Sequence, residues 1–186
     1  MFKLSEVAAL DVGDIHLPGL SCTLLPNMSR SSLAPLRGEH DNVESHLKGF
    51  GLTLPGPTEL TETPCIVLPL GQGQWLLQGE LPDLAPVAEK AALTDQSDAW
   101  CSFELEGSKV PSMLERLVPT PPVTYSAGRA VRTQIEHIGC WVLGLSNNKW
   151  QLVAPRSSAE SLFVSLKNAA EAVDALTSNY KKGDRV

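Results

Sequence analysis

The sequence predicts an α+β protein with two similar halves that arose by internal duplication. Two stretches 75 residues apart, CIVLPLGQGQWLLQ from Cys65 and CWVLGLSNNKWQLV from Cys140, align without a gap and share a strand–turn–strand pattern. A separate helical pattern lies near the C-terminus, so strands and helices occur in one chain. The repeat's identical pairs are Cys65/Cys140, Val67/Val142, Leu68/Leu143, Leu70/Leu145, Trp75/Trp150 and Leu77/Leu152. We therefore expect the two hairpins to be equivalent, with Trp75 and Trp150 in equivalent environments.

Residues 1–56 are predicted to form an irregular N-terminal arm and the first elements of the fold. SCTLLPN suggests a strand from Ser21, and Asp41–Phe50 suggests a short helix. The stretch Ser29–Glu39 is polar, has prolines nearby and shows no clear period. We expect Leu17–Leu36, together with the bridge Pro119–Pro122, to be poorly packed in the free chain and to be ordered by a partner.

Residues 57–118 are predicted to form the first α+β half. The hairpin Cys65–Gln78 is followed by a helix over about Leu84–Leu93, because Pro82 and Asp83 suit a first helical turn. Apolar and polar residues then alternate over Ala99–Glu106, as in a half-buried strand. A second helix follows Gly107.

Residues 123–177 are predicted to form the second half, and 178–186 a solvated C-terminal tail. Ala130–His137 alternates like a strand, and the hairpin Cys140–Val153 has a plausible tight turn at Asn147 and Asn148. The last helix places its apolar residues on one face. These residues are Leu162, Leu166, Ala169, Val173 and Leu176.

Charge and hydropathy exclude two classes of partner. A net charge of −6 and a pI near 5.2 are unlike a nucleic-acid-binding protein, which carries clustered Lys and Arg. No stretch reaches the roughly 20 apolar residues that a membrane helix needs. Glu6, Asp11 and Asp14 lie where a signal peptide would have its apolar segment. The sequence therefore predicts a cytoplasmic protein without nucleic-acid or membrane partners.

Cysteines and histidines show no metal-binding spacing. The four cysteines are far apart and mostly in apolar stretches, so they are predicted to be buried free thiols. The four histidines are not paired at ligand spacing either, and His137 is expected on a strand beside Glu136. These eight residues are Cys22, Cys65, Cys101, Cys140, His16, His40, His46 and His137. The sequence predicts no metal site in this chain.

Three other features resemble ligand sites. GQGQWL from Gly71 lacks a third glycine and leads into a strand, so it is predicted to be a hairpin turn and not a phosphate loop. The acids of Asp95–Asp98 are predicted to form a turn in preference to a ligand site. Arg129, Arg132 and Arg156 could meet a polyanionic ligand, such as a folate glutamate tail, or carboxylates of a partner. No catalytic or cofactor-binding residue is predicted.

Three stretches together resemble a known family. They are LGQGQWLLQ from Leu70, TDQSDAWCSFELEGSKVPSMLERLVP from Thr94, and the long stretch from Ser126 that contains VAPRSSAESL. In this order they resemble the gamma subunit of heterotetrameric, tetrahydrofolate-dependent sarcosine oxidase. The resemblance covers about 70–170 well and the first sixty residues loosely. DQSDAW also resembles the wider folate-binding aminomethyltransferase superfamily.

The resemblance implies a fold of the glycine-cleavage T-protein type and a non-catalytic subunit that supports assembly. The complex would convert sarcosine, tetrahydrofolate and O2 into glycine, 5,10-methylenetetrahydrofolate and H2O2. The alpha, beta and delta subunits would be the partners, and they would carry the FAD, FMN, NAD and zinc. Two alternatives stay open at this point: a stand-alone folate-binding aminomethyltransferase-like module, or an accessory subunit of another N-methyl amine oxidase or dehydrogenase.

Overall fold

The computed structural model describes residues 9–145 and 148–183, with side chains described as far as 177. Mixed sheets and helices confirm the predicted α+β class. The strands are β1 Ile15–Leu17, β2 Leu20–Leu24, β3 Arg30–Pro35, β4 Ile66–Gly71, β5 Gln74–Gln78, β6 Ala91–Asp95, β7 Trp100–Glu106, β8 Arg129–Ile135, β9 Ile138–Gly144 and β10 Lys149–Pro155. The helices are α1 His40–Lys48, α2 Val110–Leu117 and α3 Ala159–Gly183. No helix within these ranges is long and apolar enough to cross a membrane.

Two antiparallel sheets stack between outer layers of helix. The larger sheet has the order β1-β2-β7-β10-β9-β8, and the smaller has the order β4-β5-β3-β6. One apolar cluster joins the larger sheet to α2 and α3, through residues such as Phe103, Met113 and Leu166. Another joins the smaller sheet to α1, and a third, which includes Leu76 and Val153, fills the space between the sheets. Side chains alternate along a strand, so one face of each sheet packs against helices and the other face packs against the other sheet.

Both hairpins of the sequence repeat form, and they pair in the same register. In the first, Val67 lies opposite Leu77; in the second, Val142 lies opposite Leu152, and each of these residues is 75 positions further on. Val67 and Leu77 face α1, and Val142 and Leu152 face α2 and α3. The predicted turn at Asn147 lies outside the described residues. The prediction that both hairpins form is thus confirmed. The two tryptophans are not fully equivalent, because Trp75 is buried and Trp150 only partly so.

The predicted irregular arm is wrong for its central part. The smaller sheet contains β3 as an inner strand between β5 and β6, although Ser29–Glu39 was expected to be irregular. Leu33 is fully buried and Leu20 is 3% exposed, so Leu17–Leu36 contributes strands and buried side chains to the fold, although Leu36 itself is 49% exposed. The Pro119–Pro122 bridge leads into a 3-10 turn, Pro122–Tyr125, whose Tyr125 is buried although Val123 is 72% exposed.

The two sheets do not follow the predicted division at 118–123. Both β7 and α2 were assigned to the first half, but β7 pairs with β10 and α2 packs on the larger sheet. The helix expected over about Leu84–Leu93 is instead a 3-10 turn, Ala85–Val87, followed by β6. At the C-terminus, α3 continues to Gly183 into the predicted tail, and Leu176 is exposed where burial was expected.

A buried polar network ties the sheets together. Arg30 on β3 is 2% exposed and donates hydrogen bonds to Gln78 Oε1 (3.3 Å), the Trp100 carbonyl (3.2 Å) and Ser102 Oγ (2.7 Å). Gln78 donates in turn to Gln151 Oε1 at 2.7 Å. Burial lowers the pKa of Arg30, but a guanidinium stays protonated. The bonds from Arg30 to Trp100 and Ser102 and from Gln78 to Gln151 join the two sheets and fix their relative position.

Candidate functional site

A groove opens between the β8–β9 hairpin and the β4–β5 end of the smaller sheet. Its volume is about 700 Å³, within the usual size range of ligand sites. One wall is the β4–β5 turn and the other is the loop 54–57. The floor is Ala130 and Arg132 on β8 with Trp141 on β9.

Two tryptophans shape the groove, and their indole N–H groups are already bound. Trp75 donates to the Pro55 carbonyl at 2.9 Å, which holds the loop 54–57 against β5. Trp141 donates to the Pro69 carbonyl at 3.0 Å, which holds β4 over β9. The rings therefore offer only apolar surface to an occupant.

Arg132 is the cation of the groove. It lies directly opposite Trp141 in the β8–β9 register, with its guanidinium carbon 4.9 Å from the ring centroid. This is a cation–π arrangement, and because a guanidinium carries five N–H donors, Arg132 can also bond to an acceptor. Among the described residues that line the groove there is no Asp or Glu. In a chain with a net charge of −6, the groove is therefore suited to an anion.

The outer edge of β8 is open beside the groove. The segment at Glu59 forms an antiparallel bridge with Arg129, and the Ala130 N–H donates to the Thr58 carbonyl at 3.1 Å. Backbone groups alternate in direction along a strand, so those of Arg132 and Gln134 also point outward. Within the described part of the chain, no strand pairs with β8 beyond Ala130 on this side.

His40, the first residue of α1, completes the rim. Its ring lies 5.7 Å from that of Trp75, centroid to centroid, and its side chain is half exposed. The other three histidines lie elsewhere. Glu136 and His137 have φ values of 45° and 72° and form the tight β8–β9 turn, so the prediction of His137 on a strand is wrong. In the described ranges, no three metal-binding side chains come together.

The Asp95–Asp98 loop forms a turn, as predicted. Asp95 Oδ1 accepts hydrogen bonds from the Ser97 N–H at 2.9 Å and the Ser97 hydroxyl at 2.7 Å. These bonds lower the pKa of Asp95. Ser97 Oγ also accepts from the Arg30 N–H, so the loop closes the end of β3.

The three candidate arginines are not brought together. Arg129 donates to Thr58 at the β8 edge, and Arg156 donates to Asn27 near the start of α3. Only Arg132 lines the groove. Trp141 and the loop 54–57 were missed as site residues. Pairing β8 with β9 across Glu136–His137 would have placed Trp141 opposite Arg132.

The cysteines are free and buried, as predicted. Burial raises the pKa of all four thiols, and it raises those of Cys22 and Cys140 to about 12. At neutral pH such thiols are poor nucleophiles and poor metal ligands. Cys101 also contacts the Ala154 carbonyl at 3.6 Å.

Solved structures show which class of fold this is. Glycine cleavage system aminomethyltransferase T from Bartonella henselae matches with a TM-score of 0.54 and 11% identity, over 80% of this chain and 45% of that one. A chain of heterotetrameric sarcosine oxidase from Corynebacterium sp. U-96, solved in complex with pyrrole 2-carboxylate, matches with a TM-score of 0.72 and 20% identity. That match covers 83% of this chain and 85% of the other.

These similarities confirm the predicted resemblance at the level of the fold. The chain spans less than half of the aminomethyltransferase but most of the sarcosine oxidase chain. No family model and no curated protein sequence matches this chain.

Proposed function

We propose that this chain is the gamma subunit of a heterotetrameric sarcosine oxidase and supports assembly with flavin-bearing subunits. The observation that carries the proposal is the structural match with a sarcosine oxidase chain, which covers 83% of this chain and 85% of the other. The sequence stretches from Leu70, Thr94 and Ser126 support the same assignment independently of the fold.

The proposed complex is cytoplasmic and oxidises sarcosine with tetrahydrofolate and O2 to glycine, 5,10-methylenetetrahydrofolate and H2O2. Its alpha, beta and delta subunits carry FAD, FMN, NAD and zinc. The chain described here contributes no catalytic residue and binds none of these groups. The sequence repeat and the shared register of its two hairpins support an origin of the fold by internal duplication.

Co-expression tests this proposal. The chain is produced with two large flavoprotein subunits encoded beside it, and the tagged chain is purified. We expect a stoichiometric complex that shows flavin absorbance and releases peroxide when sarcosine is added. The chain alone should be colourless and inactive. A purified chain that is yellow, or that makes peroxide from sarcosine unaided, contradicts the assignment.

A second candidate function is a stand-alone folate-binding module of the aminomethyltransferase type. The anion-suited groove of about 700 Å³ favours it, because a folate is an aromatic molecule with a carboxylate tail. Calorimetric titration with tetrahydrofolate tests this function. Arg132→Gln should weaken binding, whereas Arg129→Gln, three residues away on the same strand and bonded to Thr58, is the matched control.

A further inference from the structure

We propose that the open edge of β8 and the adjoining groove form one docking site for an extended segment of a partner chain that carries an acidic side chain. The inference rests on the proposed function, because it gives the accessory subunit a defined surface for its partner. The two features lie side by side, and each one requires something different of the occupant.

The backbone of β8 requires a strand. The N–H and C=O groups of Arg132 and Gln134 point outward, and a new strand can bond to them. The chain itself shows that this edge accepts a strand, since the segment at Thr58–Leu60 pairs antiparallel with Gly128–Ala130. That segment turns away at Pro57, which lines the groove, so pairing stops where the groove begins.

The groove requires an acidic side chain among apolar ones. Alternate side chains of an added strand would point to the groove side of the sheet, where Ala130, Arg132 and Gln134 also point. One of them would reach Arg132, whose guanidinium carbon lies 4.9 Å from the Trp141 ring centroid. A carboxylate can accept two parallel N–H bonds from a guanidinium. The remaining surface, from Trp75, Pro55 and Leu70, is apolar.

An extended peptide uses both features, whereas a small anion would use the groove alone. The open edge is an independent observation, and it favours the peptide. Unpaired edge groups also invite unwanted pairing, so natural proteins usually cover or block them. Here Arg132 and Gln134 are exposed on the part of the edge that no strand pairs with in the described residues.

The experiment uses the full chain and a phage-displayed library of random twelve-residue peptides. We expect the selected peptides to carry one acidic residue among alternating apolar residues. Their synthetic versions should bind two- to fivefold more tightly than versions with the acid replaced by its amide, the range for a partly exposed ion pair. In the Arg132→Gln variant this preference should vanish, and in the Arg129→Gln control it should remain.

Gln134→Pro tests the edge directly. The N–H of Gln134 points outward, so proline removes no bond to β9 but blocks an added strand. We expect binding to fall at least tenfold, whereas Gln134→Ala should bind like the wild type. Hydrogen exchange on the wild-type chain gives a second measurement, independent of how the variant folds. Bound peptide should protect the Arg132 and Gln134 amides.

Three outcomes would overturn the proposal. They are failure to select any peptide, binding that leaves the Arg132 and Gln134 amides unprotected, and Arg132-dependent binding of tetrahydrofolate without peptide binding. The last would identify a small-molecule site. These outcomes leave the co-expression result untouched, because a complex can still form through another surface. Conversely, a chain that forms no oxidase complex but selects acidic strands would retain the docking site and lose the proposed function.

Discussion

Trp75→Ala is the most informative test of the core. Trp75 is 8% exposed, packs in the cluster between the smaller sheet and α1, and donates a hydrogen bond to Pro55 at 2.9 Å. A buried tryptophan removes about 150–250 Å² from water, which corresponds to about 4–6 kcal/mol at the usual coefficient. Part of that area is retained by alanine, and measured substitutions of this kind cost about 3–5 kcal/mol.

Urea unfolding followed by circular dichroism measures this cost without relying on the tryptophan that is removed. We expect the free energy of unfolding to fall by about 3–5 kcal/mol. In thermal unfolding this corresponds to a fall in Tm of about 6–20 °C for a chain of this length. Trp75→Phe should cost about 1–2 kcal/mol, because it leaves the Pro55 carbonyl without its donor. Val123→Ala, at a 72% exposed site, is the control and should change stability by less than about 0.5 kcal/mol. A loss below about 1 kcal/mol for Trp75→Ala would refute the burial argument.

The remaining predictions concern a glycine, the thiols and a strand. Gly144→Ala should destabilise the fold by at least about 2 kcal/mol, because a Cβ there would overlap the backbone oxygens of Tyr125 and Ser126. Gly139→Ala is the control, since Gly139 has open space around it and the substitution should leave stability unchanged. Urea unfolding of both variants measures the difference. Burial raises the pKa of Cys22 and Cys140 to about 12, and unfolded thiols ionise near 8.5. The contribution of these thiols to the free energy of unfolding should therefore be fully present below about pH 8.5 and be lost as the pH rises towards 12. A thiol reagent at pH 8 should label the chain only after denaturation. Hydrogen exchange on the isolated chain should show strong protection of the β3 amides. Rapid exchange of these amides would instead support the sequence prediction that this segment is poorly packed without a partner.

Local patterns explain what could be predicted from the sequence. The hairpins are continuous apolar runs on either side of turn residues, α3 has apolar residues at helical spacing, and the tertiary structure agrees with both local preferences. β3 could not be recognised in this way. Its Arg30, Ser31 and Ser32 are polar, and Arg30 is buried only because Gln78, Ser102 and the Trp100 carbonyl accept its hydrogen bonds. These partners lie 48 to 72 residues away, so no local period reveals them.

The groove was beyond a sequence reading for a similar reason. Its walls and floor come from residues 54–57, 69–75 and 130–141, which meet only after both sheets have formed. Arg132, Arg129 and Arg156 are equal candidates for anion binding in the sequence. What separates Arg132 from the other two is the Trp141 ring beside it, which becomes visible only when β8 is paired with β9.

The path of the chain between the sheets has a consequence for folding during synthesis. The chain leaves the larger sheet after Leu24, builds the whole smaller sheet from Arg30 to Asp95, and returns only at Trp100. β2 therefore cannot pair until β7 has been synthesised, since Ser21 pairs with Glu106 across 85 residues. The other edge of β7 stays unpaired until β10 has been synthesised. Pairing at such separations slows folding. The smaller sheet can form as soon as Asp95 has been synthesised, whereas the larger sheet stays incomplete until β10 emerges, and a nascent chain released before then would expose the apolar side of β7.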